Sequence, residues 1–309
     1  MNDRTKSGDD LEEGIILPDG SPFKASSLEN LRGEERRAED EKYVPVIIKR
    51  NDETRRHPDD ALQAAIEEGL EQIRRPFVSL LLSSIAGGLI VGFSALAVAV
   101  VLTAAGELEL SSIVKRIASA FVYPLGFIVC ILSGAQLFTE HTATALYPVL
   151  DGEAKIYRLF RLWLLVVVGN LIGAVIAASL HFVAMDVIAA KEGYIEIGKH
   201  LTHYSNQSLL VSAILAGWLM ALGAWLVGSS PRTIAQIFVI YIVTFVIGLG
   251  GLHHSIAGSV EMFSAMFLSS EFTPSMAANF IGVALFGNLI GGSFFVALLN
   301  YAHIRRTNE

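Results

Sequence analysis

The 309 residues are 52% hydrophobic, with a mean hydropathy of +0.52 and a formal net charge of −7. A soluble domain of this length is not so apolar, so the composition excludes an ordinary globular enzyme and points to a membrane protein. Cys130, the single cysteine, rules out a disulfide framework within one chain.

Charge is gathered rather than spread. Most of it falls in the first 75 residues, as in Asp9-Asp10-Leu11-Glu12-Glu13 and Gly33-Glu34-Glu35-Arg36-Arg37-Ala38-Glu39-Asp40-Glu41. Residues 1–57 are polar, mixed in sign and without apolar periodicity, which predicts a disordered cytosolic tail. Their bases are interleaved with acids, so nucleic acid is not an expected partner. Met1-Asn2-Asp3-Arg4 does not open a secretory signal. Over residues 58–75 the pattern changes. Ala61, Leu62, Ala65, Ile66, Leu70 and Ile73 recur at helical spacing, and Pro58-Asp59-Asp60 makes a good helix start. This predicts an amphipathic cytosolic helix, with Arg74-Arg75-Pro76 at the membrane surface.

Residues 76–306 form the membrane body. Six apolar spans, each long enough for a bilayer, are predicted at about Phe77–Leu102, Ile117–Leu150, Leu159–Val187, Ser208–Val227, Ile234–Leu268 and Met276–Tyr301. Arg74, Arg75, Lys155, Arg158, Arg161, Arg232, Arg305 and Arg306 fall on one side of this arrangement. Lys115, Arg116, Lys191 and Lys199 fall on the other. The excess places both termini in the cytosol.

The second and fifth spans are too long for one crossing, and each has a polar break. The fifth contains Gly250-Gly251-Leu252-His253-His254-Ser255-Ile256-Ala257-Gly258-Ser259-Val260-Glu261. Ionisable groups at membrane depth are costly and usually functional, and a broken helix is tolerated there only inside protein or beside a wet cavity. The second contains Gly134-Ala135-Gln136-Leu137-Phe138-Thr139-Glu140-His141-Thr142. Some 30 residues after these breaks stand Gly169-Asn170-Leu171-Ile172-Gly173 and Gly287-Asn288-Leu289-Ile290-Gly291. Three spans repeated in one chain must run in opposite senses, giving an inverted repeat with its site at mid-membrane. Small-residue helix packing also accounts for the glycines.

Ser133-Gly134-Ala135-Gln136-Leu137-Phe138-Thr139, His254-Ser255-Ile256-Ala257 and Gly287-Asn288-Leu289-Ile290-Gly291-Gly292 resemble the formate/nitrite transporters, and the resemblance covers about Pro76 to Arg306. It implies an all-α, aquaporin-like bundle of six transmembrane helices with two broken helices. It also implies a homopentamer with one pore per protomer in a bacterial inner membrane, passing small monovalent anions together with protons. No cofactor is implied. By the same resemblance His254 matches the central pore histidine, Thr139 the facing threonine that bonds it, and Leu137 and Phe138 the flanking constrictions. Ser255 follows the histidine in the matching motif.

The chain departs from the family at several positions. Gln136 and His253 stand where the family commonly has acids, Glu140 where it has Gly or Ser, and Gly258 and Gly217 where it has asparagines. An entrance lysine is also expected, with Lys199 and His203 both near its place. Two readings of Glu140 stay open: a buried acid paired, for example, to His141, or a pore carboxylate. His253 points roughly 100° from His254 on a helix. Phe121, Phe127, Phe263 and Phe267 read as core. Glu261, one or two turns past His254, reads as an interfacial residue. A proton-linked anion pore competes with a pore for ammonium or ammonia, which adjacent histidines and an acid would suit. A metal enzyme would need the histidines at i,i+4.

Overall fold

The computed structural model describes residues 58–306, so the expected tail over residues 1–57 lies outside the described residues. Helix α1 (Pro58–Arg74) begins at the proline and carries Asp59 and Asp60 in its first turn. Its apolar face buries Leu62 and Ile66 against Ala143, Tyr147, Ala221, Val296 and Ile304.

The membrane body contains α2 (Phe77–Glu107), α3 (Ser112–Val122), α4 (Pro124–Leu132), α5 (Phe138–Thr144), α6 (Tyr147–Leu150) and α7 (Ile156–Val183). After a short α8 (Met185–Ile188) and α9 (Lys191–Thr202) come α10 (Asn206–Gly228), α11 (Thr233–Gly250), α12 (Ser255–Leu268) and α13 (Pro274–Gly292). A π-helical turn, Ser293–Leu298, leads into α14 (Leu299–Arg306). Among the described residues, six runs are long and apolar enough to cross a membrane: α2, α3 with α4, α7, α10, α11, and α13 through α14. The second begins at Ser112, earlier than the expected Ile117, and is interrupted at Tyr123, just before Pro124. There Ser94 Oγ accepts from the Gly126 amide at 3.0 Å and donates to the Tyr123 carbonyl at 2.6 Å. This serine satisfies backbone groups around a residue that has no N–H of its own. The α9 helix, between the third and fourth spans, was not expected.

The architecture is two inverted three-span repeats. In the first, α2 packs along α7; in the second, α10 packs along α13. The Gly-Asn-Leu-Ile-Gly stretches sit at these two crossings. A Cβ on Gly173 would lie 2.2 Å from the Ile85 carbonyl oxygen, and one on Gly291 would lie 2.2 Å from that of Ile214. The facing glycines are equally tight, with Gly88 against the Asn170 carbonyl and Gly217 against that of Asn288. The repeat and the small-residue packing are therefore one feature: glycine lets the paired helices touch backbone to backbone.

Both breaks have the same local cause. Gly134 (φ 71°) follows α4, and Gly251 (φ 60°) caps α11, each in the left-handed region that favours glycine. The chain then runs extended through Leu137 and His254 before α5 and α12 begin. Two of the aromatic side chains expected in the core are elsewhere. Phe121 is 55% exposed and Phe267 is 42% exposed, because their helix faces point outward, where apolar surface is compatible with lipid.

Candidate functional site

The two breaks meet inside the bundle. Asn170 Oδ1 accepts from the Phe138 amide at 2.9 Å, while its Nδ2 donates to the carbonyls of Ser84 (2.7 Å) and Gln136 (2.8 Å). Asn288 repeats the pattern. Its Oδ1 accepts from the Ser255 amide at 2.8 Å, and its Nδ2 donates to the carbonyls of Ala213 (2.7 Å) and His253 (3.1 Å). Each asparagine thus satisfies polar backbone that the break would leave bare in an apolar medium. Both are fully buried. Sequence reasoning saw these residues only as part of a repeat, although a lone asparagine between two glycines in an apolar span was a usable signal.

His254 is the N-cap of α12. Its Nδ1 accepts from the Ile256 and Ala257 amides, both at 3.2 Å. With that lone pair committed to two N–H donors, the ring proton of neutral His254 sits on Nε2. Nε2–H then donates to Thr139 Oγ1 on α5, 2.9 Å away. Phe127 closes one side, edge to face with the imidazole at 5.0 Å between centroids. His254 and Thr139, singled out from sequence, are thus brought together, and Phe127, buried in the core as expected, packs against the imidazole.

A cavity of about 390 Å³ opens from His254 toward the face opposite α1. Lys115, Arg116, Tyr123, Glu196, His200 and Glu261 also line it. Sequence reasoning gave none of these a role in the site. Lys115 pairs with Glu196 at 3.2 Å, and Arg116 donates to the Gly250 carbonyl at 2.7 Å. His200 Nε2 donates to the Gly251 carbonyl at 3.2 Å, and Tyr204 donates to its Nδ1 at 3.3 Å. Burial pulls the His200 imidazole below its ordinary value, and Arg116 and His203 add to this while the Gly251 carbonyl opposes it. A second cavity of about 200 Å³ lies on the α1 side, with Glu68, Thr144, Tyr147 and Trp225 in its wall.

The other predicted residues stand back from the wide cavity. Leu137, Phe138 and Ser255 are buried around the junction. His253 turns away from His254. Its Nδ1 accepts from Ser212 Oγ at 2.8 Å, and its ring stacks on His200 at 5.3 Å. Glu140 is not paired to His141, whose Nε2 instead meets Gln136 Oε1. Oε1 of Glu140 is buried and makes no hydrogen bond among the described residues. Lys199 pairs with Glu271 at 3.5 Å on the exposed rim. Glu261, read as interfacial, is a buried wall residue of the wide cavity.

Residues 59–302 match the family model described as formate/nitrite transporter. The chain belongs to the formate/nitrite transporter family. It is 31% identical to the inner membrane protein YfdC of Escherichia coli (strain K12) over 242 residues, which is 77% of this chain and 76% of that one. Among solved structures it is similar to an FNT family ion channel, with a TM-score of 0.72 and 19% identity over 79% of this chain and 99% of that one. It is also similar to a pentameric formate channel with formate bound, with a TM-score of 0.63 and 20% identity over 74% and 98%. Within this member of the family, Gln136 also reaches back to the Gly134 carbonyl at 3.2 Å, closing the first break on itself.

Proposed function

We propose that the protein is a proton-linked channel for small monovalent anions of the formate or nitrite class, with His254 at its centre. The observation that carries this reading is the His254–Thr139 hydrogen bond at the floor of a cavity whose wall holds Lys115 and Arg116. Arg116, which is not paired as Lys115 is to Glu196, attracts an anion, and the N-terminus of α12 adds a favourable dipole at the floor. Leu137, Phe138 and Phe127 keep the passage beyond His254 dry, which is a desolvation barrier to a bare anion. A proton relayed from cavity water through Nε2 and the Thr139 hydroxyl removes the charge, so the anion crosses as its neutral acid, and Nε2 regains its proton from that water. With Nδ1 held by two amides, Nε2 is the only ring atom placed to do this.

The family and the solved pentameric relative support a homopentamer with one pore per protomer. The basic residues of the loops support a bacterial inner-membrane orientation with both termini in the cytosol and α1 lying along that face. The protein then transports and is not an enzyme. A second reading, a pore for ammonium or ammonia, draws on Glu140, whose buried Oε1 has no hydrogen-bond partner among the described residues. Uptake of formate, nitrite and ammonium into proteoliposomes separates the two. Formate or nitrite uptake is expected; uptake of ammonium alone sinks the anion reading.

A further inference from the structure

Glu261 has no part in the anion pathway as drawn so far. It lies seven residues after His254, about two helical turns along α12. It is 7% exposed, between the fully buried Val260 and Met262, and it lines the same cavity as His254. A carboxyl held inside the membrane body is expensive to keep and is a functional candidate by default.

Its surroundings set the sign of the cavity. Lys115 and Glu196 close on each other at 3.2 Å, leaving Arg116 and Glu261 as the two lining charges without an ionic partner among the described residues. Tyr123, from the α3–α4 junction, His200, from α9, and Tyr204, just after it, complete the ionisable wall. Behind it Tyr194 of α9 bonds His181 of α7 at 2.9 Å. Burial pushes the Tyr194 hydroxyl up, and the Glu261 charge adds to that push. The other helices packed on α12 add little: α13 carries no ionisable residue, and α2 carries only Glu107, at its exposed end.

With Glu261 ionised, Arg116 is offset and an arriving anion meets a cavity of no net charge. With Glu261 protonated, the same anion meets one net positive charge. Anion and proton therefore favour each other's presence, and the coupling is reciprocal.

We propose that Glu261 is the proton site of this vestibule: its carboxylate takes up one proton from the adjoining solution as one small monovalent anion enters. The proton comes from bulk water, sits on a carboxylate oxygen and returns to the bulk when the anion leaves; no other bond changes. The inference rests on the anion-channel reading. It assigns the vestibule step to a carboxyl separate from His254, which acts at the floor.

The test uses the full chain in detergent and in proteoliposomes, with sodium formate as the probe. Formate added to the wild type in weakly buffered solution should cause proton uptake, and a protonated-carboxyl band should appear in the infrared difference spectrum. In detergent, where no transport occurs, Glu261→Gln should bind formate with the proton uptake and the band gone, and its formate affinity should change less than about twofold across the pH range where wild-type affinity falls about tenfold. Glu261→Asp should restore both signals, which a merely structural role for the side chain does not predict. If Glu261→Gln does not fold, the wild-type band alone decides, because its absence on formate binding overturns the proposal. Undiminished proton uptake in Glu261→Gln overturns it as well, and leaves the anion reading standing. Formate that is neither bound nor taken up by the wild type removes the anion reading itself.

Discussion

Asn170 and Asn288 hold the two breaks in the same way, one in each inverted repeat. Each accepts from the first amide of a half-helix and donates to two carbonyls, one in the break and one in the facing span. Through Asn288 the clamp includes the carbonyl of His253 and so fixes where His254 begins α12. Through Asn170 it fixes Phe138, the residue before Thr139. The His254–Thr139 hydrogen bond therefore joins two side chains whose backbones are each set by an asparagine from a different span.

Removing either clamp strands a buried amide and a buried carbonyl of the break and takes a second bond from a helical carbonyl. Asn170→Ala and Asn288→Ala should each lower stability by roughly 2 to 4 kcal/mol, since each unsatisfied group costs on the order of 1 kcal/mol. Thermal unfolding in detergent checks this. Unfolding midpoints equal to the wild type would mean that the carboxamides are not what supports the breaks.

Glu140 divides the two transport readings. If the pore passes anions, Glu140→Gln should leave uptake intact or raise it, because the change can only remove a negative charge. A cation pore should lose flux by about tenfold or more when that charge is removed. Uptake of formate and of ammonium by the same variant gives both answers.

His200 should make the vestibule acid-sensitive. Its folded-state value lies below the ordinary 6.5, so as pH falls the unfolded chain binds this proton first. Stability from this group is then complete above 6.5 and is lost as pH falls below that value. His200→Gln, which keeps a donor for the Gly251 carbonyl, should flatten the fall in unfolding temperature over that window. An unchanged slope would place the acid sensitivity in another group.

Much of the fold could be read from the sequence because its signals were local and periodic. The spans follow from apolar runs, the breaks from Gly134 and Gly251 beside polar residues, and the inverted repeat from the two Gly-Asn-Leu-Ile-Gly stretches. His254 and Thr139 were legible as polar groups at membrane depth within motifs that resemble a family. The vestibule wall was not. Arg116, His200 and Glu261 come from three elements far apart in the chain, and only packing brings them round one cavity. His253 shows the same limit. Beside His254 in sequence, its place at the pore stayed open, and only the extended backbone at the break sets it against Ser212 and His200.

Thr139 tests the geometry without removing the imidazole. Thr139→Val deletes the acceptor of the Nε2 proton at nearly constant volume. Formate uptake should fall by roughly tenfold, while the unfolding temperature drops only by the loss of one buried hydrogen bond, about 1 kcal/mol. Full uptake in this variant would mean that the hydroxyl does not orient His254 for transport.

The most direct measurement is formate uptake into proteoliposomes under an imposed pH gradient, with wild type and His254→Ala side by side. Uptake that follows the gradient in the wild type, and is lost or uncoupled from it in His254→Ala, is the predicted result. Formate uptake that is the same in both proteins and indifferent to the gradient would contradict a proton step at His254.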